Sequence, residues 1–302
     1  MIIGNDLDAV LSAVYLHHKF GWDIVGIYDY HRLWLDNQAP DILKQLLQGR
    51  YLCVDLDIYH ANIPSIGHHV LEWSGRDALP GHRLTLNPNC IAGIEQTNFR
   101  HKYPLATIHF LLWMLEEGDL DLETSLFVWL ADSSYINAQS HRFRENVAAW
   151  LLRLSERADF CRVMQVLDSN AYEKVLSREI LSRLSQLKIC TQRGQVRSRF
   201  QGMTGFQCQW QNPNRSRRDI LRLLEITRRI TGWQIPSLPR QFNRMEGTRS
   251  IERLARIYRE YENMDAFLHK KGVFSYAIHF NGRINYSHTF LFGDSAISRK
   301  AL

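Results

Sequence analysis

Short apolar runs alternate with amphipathic stretches over the first 130 residues, the pattern of a parallel sheet whose strands are joined by helices. Ile2-Ile3 predicts a brief opening strand, and Ala9–Phe20 predicts a helix closed by Gly21 at its carboxyl end. Asp23–Tyr28 predicts a second strand. Pro40–Leu47 reads as a helix with proline in its first turn and Gly49 beyond its end. Tyr51–Asp55 and His69–Trp73 predict a third and a fourth strand, Pro104–Leu115 a strongly apolar helix, and Glu123–Ala131 a further one.

From about Ser140 to Leu187 the spacing is helical and dense in Arg and Glu, as expected of a helical connector. The last hundred residues have an α+β pattern. Val196–Phe200 and Phe206–Trp210 flank Gly202 and Gly205 as a hairpin, and Asp219–Thr231 and Ser250–Phe267 predict helices. Val273–Phe280 and Arg283–Phe292 alternate like paired strands around Asn281-Gly282. The expected fold class is α/β. Residues 1–140 would form an N-terminal parallel-sheet domain, 141–190 a helical connector, and 191–302 a smaller basic α+β domain.

Composition narrows the classes. Of 302 residues, 45% are hydrophobic and 23% charged, ordinary for a globular chain and unlike disordered, collagenous or coiled-coil sequences. No apolar run approaches the roughly 18 to 20 residues that span a bilayer, and the first residues lack the basic and apolar segments of a signal peptide. A soluble, cytoplasmic protein without membrane contact is expected. Five scattered cysteines with no C-x-x-C pair predict reduced thiols rather than a disulfide framework or a zinc knuckle. The net charge of +6 conceals an asymmetry: residues 1–150 carry 10 Lys and Arg against 18 Asp and Glu, and residues 151–302 carry 27 against 13. That division fits a cation-binding site beside a polyanion-binding surface; unevenly distributed solvated charge is the plainer alternative.

Carboxylates and histidines fall where the expected strands end or begin. Asp6 and Asp8 form a D-x-D between the first strand and its helix. Asp55 and Asp57 end the third strand, His68-His69 begin the fourth, and Asp132 follows LFVWLA. In open parallel sheets ligands bind at the carboxyl ends of the strands, and an oxygen-rich set with one or two imidazoles suits Mn²⁺ or Mg²⁺. Each residue also has a structural reading. Asp6 or Asp8 could cap the helix, Asp55 could be an ordinary loop residue, and either histidine could be a packed or surface residue.

The series NDLDAVLSA, VDLD, GHHVLEW, LNPN, YPLATIHFLLWML and LADSSYIN resembles the DHH phosphoesterase superfamily over residues 1–150. The NP loop followed by the YP-initiated helix is most similar to RecJ-like single-strand exonucleases. The resemblance implies metal-assisted hydrolysis of a phosphodiester or phosphoanhydride, with Mn²⁺ or Mg²⁺ as cofactor. It implies Asp8, Asp55, His68 and Asp132 as metal ligands, Asp6 at the other metal position, and His69 against the scissile phosphate. The chain departs from the family in having Gly67 where the name motif has Asp. Ile2 and Gly4 stand where further ligands are common, which leaves Asp8, Asp55, His68 and Asp132 as one near-complete set. The glycine-rich signature of the usual C-terminal substrate lobe is not recognisable in GVFSYAIHFNGRINYSHTF.

The basic half supplies candidate phosphate contacts: Arg197 and Arg199 on the expected hairpin, Arg215, Arg217 and Arg218 entering a helix, and Arg283. The guanidinium fork suits phosphate, and a helix start adds backbone donors. Phe200, Phe206, Trp210 and Trp233 could stack on bases or belong to the core. Walker A, G-x-G-x-x-G, G-x-S-x-G and H-E-x-x-H patterns are absent. The expected function is a metal-dependent phosphodiesterase, a hydrolase acting as an exonuclease on single-stranded nucleic acid, with DNA favoured over RNA. The alternatives are a catalytically weak DHH-like scaffold that binds nucleic acid or a replication or recombination partner, and a phosphoesterase for short oligonucleotides, cyclic dinucleotides or polyphosphate.

Overall fold

A computed structural model describes residues 1–74, 77–118, 120–134, 138, 144–157, 170–197 and 204–289. The chain is α/β with a large mixed sheet and divides into two compact units. The first comprises Met1–Gly4, Ile24–Lys102 and the described residues from Pro239 onward; the second comprises Asn5–Asp23 and the described residues of Tyr103–Leu238.

The first unit is built on a nine-stranded sheet. Its strands are β1 (Ile2–Ile3), β2 (Gly26–Tyr28), β3 (Arg32–Asp36), β4 (Cys53–Val54), β5 (Ser65–Ile66), β8 (Thr85–Leu86), β11 (Phe242–Arg253), β12 (Ser275–His279) and β13 (Arg283–Thr289). They run in the order β12-β13-β11-β3-β2-β1-β4-β5-β8. The pairs β2–β1, β1–β4, β4–β5 and β5–β8 are parallel, whereas β3 pairs antiparallel with β2 and with β11. A separate two-stranded ribbon joins β6 (Trp73–Ser74) to β7 (Asp77–Ala78). Ile2, Tyr28, Leu33, Leu35, Leu46, Ile58 and Phe274 pack as one buried cluster, the apolar burial that drives a sheet of this size to form.

Several elements differ from the sequence expectation. His69–Trp73 is not a strand of the main sheet. The strand there is β5, so His68 and His69 follow a strand end rather than open a strand, and Val70 makes only an isolated bridge to Ile278. The helix expected over Ser250–Phe267 is instead the end of β11 followed by two short helices, Leu254–Glu260 and Met264–Lys270. Pairing with β3 on one side and β13 on the other satisfies the backbone of β11 and overrides local helical spacing. That pairing also divides the chain differently from the boundaries drawn on sequence. Residues from Pro239 onward belong with Ile24–Lys102, and the described residues of 191–238 belong to the second unit.

In the second unit, Asp6 caps the helix Leu7–Phe20 by accepting from the Ala9 N–H at 3.1 Å, and Gly21 closes it at φ 71°. The helices Thr107–Met114, Leu122–Val128, Arg144–Leu154 and Pro213–Thr231 follow. The last is capped by Asn212 and closed by Gly232 at φ 69°. β9 (Cys190–Arg197) and β10 (Thr204–Cys208) form the expected antiparallel hairpin. Cys190 and Cys208, paired across it, are joined by a disulfide, which corrects the expectation of reduced thiols for these two. Cys53 and Cys90 take part in no disulfide, and Cys161 lies outside the described residues. Among the described residues no helix is long and apolar enough to cross a membrane.

Candidate metal and phosphate site

The parallel register of β4, β5 and β8 delivers three loops to one edge of the first unit's sheet. Asp55 follows β4, Gly67-His68-His69 follow β5, and Asn87 follows β8. Asp55 is buried and adopts φ 57° in the left-handed region, where Asp is among the residues tolerated. Its Oδ1 lies 3.4 Å from His68 Nδ1, and the Tyr30 hydroxyl donates to its backbone carbonyl at 3.2 Å. The His68 and His69 rings stack with centroids 4.7 Å apart.

Asp57 holds this loop together. Its fully buried carboxylate accepts from the His69 N–H at 3.0 Å, pairs with His69 Nδ1 at 2.9 Å, and accepts from Asn87 Nδ2 at 2.7 Å. Burial by itself pushes the Asp57 carboxyl up. The hydrogen bond and charge of His69, with contributions from His68 and Asn87, outweigh it and hold the carboxyl below the usual carboxylate range. Asn87 also donates to the His69 carbonyl at 2.8 Å, and Asn89 donates to the His68 carbonyl at 2.6 Å. The Asn87-Pro88-Asn89 segment, the NP loop of the motif series, is thus a clamp on the histidine pair. Neither Asp57 nor the two asparagines was among the candidate site residues. The signals for them were the second aspartate of VDLD, two residues after Asp55, and the asparagines of LNPN.

The second unit carries Asp8, Asp132 and Asp6. Asp8 is buried. Its Oδ2 accepts from the Thr107 N–H at 2.6 Å, and its Oδ1 accepts from the Ile108 N–H at 2.9 Å and from the Ser12 hydroxyl at 3.2 Å. It therefore anchors the start of the helix Thr107–Met114, where a negative charge is favoured. Asp132 is exposed at φ 50°. Burial, then the charges of Asp8 and Asp132, push the Tyr103 phenol well above its usual range, so both carboxylates act on one buried hydroxyl. Asp6 is the helix cap that its position allowed.

The candidate phosphate contacts divide between the units. Arg215, Arg217 and Arg218 lie in the first turns of the helix Pro213–Thr231 and line an open groove of about 600 Å³ together with Arg222. Arg283 is exposed on β13 in the first unit. Arg197 lies in β9, and Arg199 falls outside the described residues. Base stacking by Phe206, Trp210 and Trp233 is corrected: all three are buried, at 6% exposure or less, because they fill the core of the second unit. Phe200 lies outside the described residues.

Compared with family models, with curated proteins and with solved structures, the chain matches none of them.

Proposed function

We propose that the protein is a metal-dependent phosphodiesterase acting on single-stranded nucleic acid as an exonuclease, in the manner of the RecJ-like enzymes its motifs resemble. The observation that carries this reading is the convergence of Asp55, Asp57, His68, His69 and Asn87 at the carboxyl ends of parallel strands. In the first unit the ligands would be Asp55 and His68, a carboxylate beside an imidazole, and the resemblance implies Asp8 and Asp132 of the second unit as the others. That donor chemistry suits a hard or borderline divalent ion such as Mn²⁺ or Mg²⁺. When bound, such an ion lowers the pKa of a coordinated water and neutralises charge on phosphoryl oxygens.

The protein's own groups would orient the reaction. Asn89 fixes the His68 backbone through its carbonyl, which sets the direction of that imidazole. Asp57 occupies His69 Nδ1 and so directs Nε2 toward the substrate phosphate. The arginines of the helix Pro213–Thr231 would hold the strand's phosphates, with DNA preferred to RNA, and a replication or recombination protein is the partner class such an activity would serve. A cytoplasmic setting belongs to the same proposal.

The test is cleavage of end-labelled single-stranded DNA and RNA with Mn²⁺, set against EDTA and Asp55→Ala. Metal-dependent products that disappear in the variant are expected, and their ladder gives the polarity. Binding without cleavage, equal in the variant, would replace this reading with that of a nucleic-acid-binding scaffold.

A further inference from the structure

On the first unit two arginines face each other across a strand pair. Arg253, at the end of β11, is directly in register with Arg283, at the start of β13. Both residues are exposed, and directly opposed side chains stand on one face of a sheet. Like charges in that relation cost stability, yet neither guanidinium forms an ion pair among the described residues. Arg256, on the adjoining helix Leu254–Glu260, is by contrast neutralised by Glu252 at 3.1 Å and by Glu260 at 2.7 Å. The arginine pair forms a ridge between two open grooves. One, of about 490 Å³, is walled by Gln96, Tyr258 and Asn281. The other, of about 580 Å³, is walled by Ile251, Arg256 and Arg259, and Arg253 and Arg283 line both.

Three properties of this face select its occupant. The first is the pair itself: two adjacent guanidinium forks call for an anion with several acceptor oxygens, a carboxylate or a phosphate. The second is that the positive charge is interrupted. Glu252 and Glu260 stand on the same surface as Arg256, which disfavours a nucleic-acid backbone with a charge at every nucleotide and suits a peptide whose charges are spaced. The third is apolar exposure. Ile251, two residues before Arg253 and so on the same face of β11, is 62% exposed, and Tyr258 is 45% exposed. An aliphatic side chain has no π face on which a base could stack, but it packs against another apolar side chain. The Tyr258 hydroxyl donates to Glu72 at 2.7 Å, which holds the ring as a fixed wall. Gln96 and Asn281 add amides that can both donate to and accept from a peptide backbone.

We propose that this face docks an acidic segment of a partner protein, laid across the ridge from one groove to the other. A carboxylate of the segment would bridge Arg253 and Arg283, while apolar side chains on either side of it cover Ile251 and pack beside Tyr258. Arginine and tyrosine at the centre of a contact, with apolar neighbours that exclude water, are the side chains that dominate protein interfaces. The proposal goes beyond the phosphodiesterase reading and does not depend on it.

The experiment is fluorescence anisotropy of the full chain with a fluorescein-labelled short peptide of alternating Asp and Leu. It is compared with the same peptide carrying Asn for Asp, with one carrying Ser for Leu, and with an oligothymidylate of equal charge. The Asp-Leu peptide should bind at least about tenfold more tightly than the Asn-Leu peptide, the loss expected when charge-assisted hydrogen bonds are removed. Arg253→Gln and Arg283→Gln should each remove most of that preference, and Ile251→Ser should reduce the preference for Leu over Ser. Each Gln variant also ends the like-charge apposition, so its melting temperature should be unchanged or raised, which separates lost binding from lost fold. Equal binding of the Asp and Asn peptides, an undiminished preference in both Gln variants, or a lowered melting temperature in both would overturn the docking face. Tighter binding of oligothymidylate than of the acidic peptide, lost in the same variants, would overturn it too and give the face to nucleic acid.

Discussion

A Cβ on Gly67 would lie 2.4 Å from Asp57 Oδ1 and 2.5 Å from its Cγ, so the Asp57 carboxylate fills the space that any side chain at residue 67 would need. The resemblance to the DHH superfamily calls for an aspartate at that position. Here a carboxylate adjoins His69 although residue 67 has none, because Asp57 reaches it from the neighbouring loop.

That exclusion is testable by exchange. Gly67→Asp alone should destabilise the protein by about 1–3 kcal/mol, through overpacking against a buried carboxylate. Gly67→Asp combined with Asp57→Gly should recover part of the loss, giving a favourable coupling in a double-mutant cycle. Urea unfolding of the four proteins measures it; strict additivity would show that the two residues do not compete for one space.

Asp8 has a structural duty beside its proposed metal role. Removing its carboxylate with Asp8→Ala strips the acceptor from the Thr107 and Ile108 N–H groups and should cost about 2 kcal/mol. Asp8→Asn keeps an acceptor and should cost less, while both variants lose Mn²⁺ affinity. Chemical unfolding together with Mn²⁺ titration followed by electron paramagnetic resonance separates the two effects.

His82 predicts a pH dependence of stability. It is buried between Thr85 Oγ1 at 3.2 Å and the Tyr276 hydroxyl at 3.1 Å, and burial pushes its pKa down from 6.5 to about 4. Between those values the unfolded chain binds more protons than the folded one. Stability contributed by neutral His82 is therefore full above pH 6.5 and declines as pH falls toward 4, by about 3 kcal/mol in all. His82→Gln should remove that part of the slope, read from unfolding curves at pH 7, 5.5 and 4. Parallel curves for wild type and variant would show that His82 does not titrate in this window.

The arginine groove predicts a salt signature. Replacing Arg215 and Arg218 by Gln should weaken binding of single-stranded DNA and lower the slope of log affinity against log salt by roughly 0.7 for each phosphate no longer neutralised. Fluorescence anisotropy at several salt concentrations reports this. An unchanged slope would remove these arginines from the strand path.

Local signals in the chain were enough for the helix from Leu7 to Phe20, since an aspartate cap and a closing glycine act within a turn of the residues they govern. The same holds for the β9–β10 hairpin, for the paired strands around Gly282, and for the identity of Asp8, Asp55, His68 and His69 as chemically capable groups. Tertiary structure decided the rest. The strand Arg32–Asp36 exists in partnership with residues 242–246, more than 200 positions away, and no local window contains that pairing. The short strand Ser65–Ile66 is held by neighbours on both sides, which is why the histidines follow a strand end and face the sheet's carboxyl edge. Phe206, Trp210 and Trp233 look the same in sequence whether they stack on bases or fill a core, and burial alone chose the core. The Asp57–Gly67 relation is of the same kind. An absent side chain has no sequence signal of its own, and its meaning appears only when folding brings another residue's carboxylate into the vacated space.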